Sequence, residues 1–167
     1  ADWYSSPPPA DAFTDPSPMK CSYGDIYPLF FALPEEDFVP CLPPKSRDVA
    51  MVVPGDQSTY IFEATAEDEM NYKRMYGDAW FSFSEKKAGW HTNRFVEIVA
   101  AGSVPWMSDI EEAPRPVQST FPMALLRAAR ALPGVLPGGR IGPGFNQTQY
   151  IEVASQLLRF GRHRLTT

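Results

Sequence analysis

The stretch AWFSFSEKKAGWHTNRFVEIVAAGSVPWM, residues 79–107, decides the fold. It opens on Ala79-Trp80-Phe81-Ser82-Phe83, an aromatic run that reads as a strand. From about His91 to Ala101 apolar residues recur at helical spacing, with Phe95, Ile98, Val99 and Gly102 along the buried stripe. Gly102 stops that helix, and Ser103-Val104-Pro105-Trp106-Met107 reads as a short third strand. Pro105 has no N–H for a ladder, which places this strand at an end or an edge. Upstream, Asp48-Val49-Ala50-Met51-Val52-Val53 is a continuous apolar run halted by Pro54-Gly55, as expected of a strand covered on both faces. Thr65 ahead of Ala66-Glu67-Asp68-Glu69 is a cap-and-acid start for a helix reaching about Tyr76, and Gly77-Asp78 breaks it. The alternation is therefore βαβαβ, which predicts a parallel sheet joined by crossover helices.

Two more helices are expected downstream. Pro122 occupies the first turn of a helix over Met123–Leu132 that Pro133-Gly134 stops. Beyond a glycine- and proline-dense loop at 133–144, Tyr150, Val153, Ala154, Leu157 and Leu158 repeat at amphipathic spacing, with Gly161 as the expected cap. Proline dominates the other end, with 10 of 18 in the first 44 residues. Residues 1–20, including Pro7-Pro8-Pro9, read as an extended tail, and residues 26–33, interrupted by Pro28, as an edge strand or packed extended segment. The fold class is α/β, a Rossmann-like parallel sheet over 48–167, preceded by a proline-rich extended segment over 1–47.

The chain has 167 residues, 44% of them hydrophobic and 21% charged, enough for one domain with a real core. No apolar run approaches the ~20 residues of a membrane span, and the first residues carry no signal-peptide pattern. Cys21 and Cys41 make at most one bridge. The net charge of −5 conceals an asymmetry: residues 1–85 carry 15 acids and 5 bases, residues 86–167 carry 5 acids and 10 bases. A basic half of this kind suits an anion site or a solvated basic helix. With net negative charge and no basic-aromatic motif, nucleic acid is not the expected partner.

The chemistry concentrates between the Phe83 strand and the following helix: Lys86, Lys87, Gly89, Trp90, His91, Thr92, Asn93, Arg94 and Glu97. In parallel sheets ligands sit beyond the strands' carboxyl ends, against the N-termini of the next helices. Such a helix start offers unpaired N–H groups and partial positive charge to a phosphate, and two lysines and an arginine reinforce it. Glu97 lies within reach of a sugar hydroxyl if its helix points at the ligand. No Gly-x-Gly-x-x-Gly or phosphate-loop signature is present. The bland alternatives are an Arg94–Glu97 surface pair at i, i+3, a solvated Lys86-Lys87, a capping or surface His91 and a core Trp90.

The block Phe81–Pro105, with Arg94, Glu97, Gly102 and Pro105 in register, resembles the donor-binding segment of exostosin-like glycosyltransferases of the two-lobed GT-B architecture. Lys86-Lys87-Ala88-Gly89-Trp90 is closer still to predicted glycosyltransferases of algae and large DNA viruses, although His91 stands where that group has Asp and Ser103 where it has Cys. Tyr60-Ile61-Phe62 with the acidic helix after it, Phe121-Pro122, and residues 162–167 fit the same pattern. The resemblance implies the C-terminal, nucleotide-sugar-binding lobe and transfer of a glycosyl group from a nucleotide diphosphate sugar. Glu97 is then the ribose contact, Lys87 and Arg94 face the diphosphate or serve the structure, and Gly89, Trp90, His91 and Thr92 form the helix-start anion site. No metal or other cofactor is obligatory. The acceptor lobe would be a second lobe or another subunit, reached through residues 1–47, so the chain reads as a fragment or a reduced domain. Both the secretory lumen and the cytoplasm suit it. The competing class is a non-catalytic relative serving as a structural or interaction subunit of a larger assembly.

Overall fold

A computed structural model describes residues 19–21, 24–26, 31–50, 66–87 and 89–166. The chain divides into two units, 1–30 and 31–167. In the first, β1 (Met19–Cys21) pairs antiparallel with β2 (Gly24–Ile26), Met19 opposite Ile26. The rest of the expected tail, residues 1–18, and residues 27–30 lie outside the described residues.

The second unit is a mixed α/β fold whose three-stranded parallel sheet is flanked by helices, consistent with a single Rossmann-like lobe. Its strands are β3 (Arg47–Val49), β4 (Ala79–Phe83) and β5 (Val104–Trp106), in the order β3-β4-β5. Val49 stands opposite Phe81, and Phe81 opposite Val104. Among the described strands β5 is an edge, which accommodates the missing donor of Pro105. The crossovers carry α1 (Ala66–Gly77) and α2 (Asn93–Ala100). Residues 51–65, with the rest of the expected first strand, its Pro54-Gly55 stop, Tyr60-Ile61-Phe62 and the Thr65 cap, lie outside the described residues.

Short-range chemistry sets both ends of α2. Thr92 adopts an extended backbone and its side chain accepts from Phe95 N–H. At the other end Gly102 takes φ +75°, its N–H bonds Val99 O and Ser103 N–H bonds Ile98 O, a Schellman closure that needs a left-handed residue. Between the caps Phe95, Val96, Ile98, Val99 and Ala100 are all buried.

Beyond the sheet come α3 (Arg115–Gln118), α4 (Met123–Arg130) and α5 (Gln147–Arg164). Pro122 sits one place earlier than expected, as the N-cap of α4, where its carbonyl accepts from Leu125 and Leu126. The 133–144 segment, read as a loop, contains a small antiparallel hairpin of β6 (Val135–Leu136) and β7 (Arg140–Ile141). Asn146 caps α5 through its side chain, which accepts from Gln149 N–H.

Gly161 does not cap α5, because the helix continues to Arg164. Its role is packing: a Cβ there would lie 2.6 Å from Val99 Cγ1 and 2.7 Å from Phe38 Cε1. The missing side chain lets α5 approach α2 and the 31–50 segment closely.

That contact also moves the expected boundary at 47/48. Phe38 belongs to the main core, Leu33 N–H bonds Leu165 O, and Val39 N–H bonds Ala100 O. The prolines of 31–44 limit ladder donors, but they leave apolar side chains free to pack, so this segment belongs to the α/β unit. Cys41 within it is an exposed free thiol.

Candidate functional site

The site begins where β4 ends. Ser84 N–H bonds Trp106 O, extending the β4–β5 ladder by one step, and the buried Ser84 hydroxyl lies 3.2 Å from Thr92 Oγ1. The loop leaving the middle strand is thereby tied to the first residue before α2. Lys87 N–H closes a turn onto Gly89 O, and the Lys86 ammonium rests 4.7 Å from the centre of the Trp90 ring. Replacing Thr92 by alanine removes the cap and strands the buried Ser84 hydroxyl. The expected cost is about 1 kcal/mol, or a fall of about 2–4 °C in melting temperature, recovered by Thr92→Ser. A thermal melt of the two variants checks it.

Four of the seven residues predicted for the site share one cleft of about 290 Å³. Lys87, Thr92, Arg94 and Glu97 line it, together with Glu85 and Tyr72. The cleft lies at the carboxyl end of β4 and the start of α2, where parallel sheets hold ligands.

Gly89, Trp90 and His91 are not among its lining residues. Gly89 is exposed, with nothing within 4 Å of where its Cβ would be. Trp90 is half-buried against the edge of the core. His91 stacks on Phe121 at 4.6 Å and 10°, and its Nε2 pairs with Thr120 Oγ1 at 2.8 Å. Burial in that stack pushes its pKa below the ordinary histidine value. The imidazole is thus engaged by the connection between α3 and α4.

Glu97 is oriented by a partner on the other crossover helix. Tyr72 O–H donates to Glu97 Oε2 at 2.9 Å, and the Tyr72 and Tyr76 hydroxyls are 2.8 Å apart. A phenol has one hydrogen, and that of Tyr72 is used on Glu97, so Tyr76 donates to Tyr72. Burial first, then this network, pushes the Tyr72 pKa up, so the phenol stays protonated as the donor. Among the described residues Glu97 Oε1 has no hydrogen-bond partner. In the sequence the trace of this arrangement is two tyrosines at i, i+4 on the acidic helix α1.

Tyr72 and Glu97 are also the wall of a second, adjoining cavity of about 390 Å³. Leu33, Tyr76, Ala100 and Ala101 make its apolar surface. At its mouth the Lys73 ammonium lies 2.5 Å from Asp37 Oδ1 and 3.0 Å from Glu69 Oε1.

Among the described residues no group of three or more His, Cys, Asp or Glu side chains could hold a metal ion. No described helix is long and apolar enough to cross a membrane. Comparison with protein-family models, curated proteins and solved structures finds no match.

Proposed function

We propose that the α/β unit binds a nucleotide diphosphate sugar and serves as the donor lobe of a glycosyltransferase. The observation that carries this reading is one cleft holding Lys87, Arg94 and a carboxylate, Glu97, held by Tyr72. Two cations beside the start of α2 suit a diphosphate. A carboxylate with one oxygen fixed and the other available suits a pair of ribose hydroxyls. Charge growing on the departing diphosphate would be met by the Lys87 and Arg94 cations. The residue types are those of the exostosin-like resemblance over 81–105, and their spatial convergence supports it.

Calorimetry with uridine, guanosine and adenosine diphosphates tests the reading. Binding in the micromolar to millimolar range is expected for at least one. Glu97→Ala should weaken it about tenfold, the value of one charge-assisted hydrogen-bond pair. Absence of binding by all three at millimolar concentration overturns the proposal and leaves the interaction-subunit alternative.

A further inference from the structure

We infer that Phe31 is the platform on which the base of the nucleotide stacks; this deepens the nucleotide-sugar reading and rests on it. Among the described residues four large apolar side chains are exposed: Phe31, Met70, Leu136 and Ile151. Of these, Phe31 lines the cleft, in company with Lys87, Arg94 and Glu97, and 47% of its surface is open to water. An aromatic ring left half-open among charged side chains is apolar area that a second planar ring would remove from water.

The elements that carry these groups set their order. Lys87 comes from the loop before α2, Arg94 from the first turn of that helix and Glu97 from the second. Phe31 belongs to a segment anchored at the other end of α2, where Val39 N–H bonds Ala100 O at 2.9 Å. Leu33 shares a cavity wall with Ala100 and Ala101, and two residues of extended chain span at most about 7 Å between it and Phe31. The order is therefore two cations, a carboxylate and an aromatic ring, which is that of diphosphate, ribose and base. The glycosyl group of a nucleotide sugar hangs from the opposite end of the diphosphate. Beyond the ribose only the base remains to meet the ring.

The segment that presents Phe31 is fixed at three further points. Leu33 N–H bonds Leu165 O at 2.9 Å, Asp37 pairs with Lys73 of α1, and Val39 is held by α2. A ring presented by a segment already in place costs less ordering on binding, so more of the stacking appears as affinity. A phenyl ring has no donor or acceptor, and every base has a π face, so the contact accepts any base.

The test is calorimetric titration of the full chain and of Phe31→Leu and Phe31→Tyr, both checked for folding by circular dichroism. The titrants are uridine, guanosine and adenosine diphosphates, with ribose 5-phosphate as the ligand that lacks a base. Phe31→Leu, which keeps apolar bulk but no π face, should weaken each nucleotide that binds by about tenfold. Phe31→Tyr should retain the wild-type affinity, and ribose 5-phosphate should respond equally to all three proteins. Nucleotide affinity in Phe31→Leu within about twofold of wild type overturns the platform and leaves the nucleotide-sugar reading standing. So does a loss in Phe31→Leu that Phe31→Tyr shares in full. No binding by any of the three nucleotides overturns the nucleotide reading itself, and the platform with it.

Discussion

Replacing Phe81 by alanine is expected to cost about 3–5 kcal/mol, the range for truncating a buried phenylalanine that leaves a cavity. Phe81 is fully buried in the middle of the middle strand. Its ring meets the edge of Trp106 at 5.5 Å and of Tyr150 at 5.6 Å. Those two rings belong to the neighbouring strand and to α5, so the one side chain joins sheet and helix. A third element closes over it: a Cβ at Gly139 would stand 2.6 Å from Phe81 Cβ, so the turn between β6 and β7 lies directly on the ring's base. Tyr150 also donates its hydroxyl to Trp80 O, which fixes α5 to the strand and prevents collapse into the void. A site that cannot relax loses the transfer energy and the cavity energy together. At about 2–4 °C per kcal/mol for a chain of this size, the melting temperature should fall by about 10 °C or more. Met70, 65% exposed, supplies the control, since Met70→Ala should change stability by less than about 0.5 kcal/mol. Urea unfolding of both variants decides it, and a Phe81→Ala loss under about 1 kcal/mol would remove Phe81 from its central position.

What was legible in the sequence was short-range. The Ala79–Phe83 strand and the Gly102 end of α2 follow from residues within one turn of each other, and the structure has them where the pattern puts them, whereas α2 starts at Asn93 behind a Thr92 cap rather than at about His91. The parallel order follows in turn, since a strand, a helix of this length and another strand return only as a crossover. What was hidden depends on partners distant in sequence. Gly161 near the end of a helix reads as a stop, and only the proximity of Val99 and Phe38 makes it a packing residue. The segment carrying Phe38 reads as tail because prolines remove ladder donors, yet packing needs none. The strands β6 and β7 have two residues each, too short for any period to show.

The site divides along the same line. Lys87, Thr92, Arg94 and Glu97 converge because a single loop and the first two turns of α2 carry them. His91 belongs to the same run, but the Phe121 face and the Thr120 hydroxyl, both from another part of the chain, claim its ring. Tyr72 acquires meaning only when α1 lies beside α2. The geometry between these two helices is therefore what the Tyr72–Glu97 bond, and with it the carboxylate's aim, depends on.

Lys45 secures that geometry, and its removal should be both costly and pH-dependent. The Lys45 amine donates to Gly77 O at 2.8 Å and to Gly102 O at 2.6 Å. These carbonyls lie at the C-terminal ends of α1 and α2, where unpaired acceptors accumulate. Both glycines are buried, so Lys45→Met would leave two carbonyls without a donor, at about 1–3 kcal/mol each. Burial lowers the Lys45 pKa from 10.5 to about 7, with Asp78 pulling weakly the other way. A neutral amine still carries two hydrogens, one for each carbonyl. Between pH 7 and 10.5 the unfolded chain binds a proton at this position that the folded chain does not. Stability from this group therefore rises with pH across that window and is smallest below pH 7, where both states are charged. Urea unfolding of wild type and Lys45→Met at pH 6.5 and pH 9 should show the gap between them widening at the higher pH. A gap that narrows instead would mean that the charged ammonium, attracted by the negative ends of two helix dipoles, is the stabilising form. In either case the Tyr72–Glu97 bond should be disturbed in the variant, because the staple that sets α1 against α2 also sets Tyr72 against Glu97.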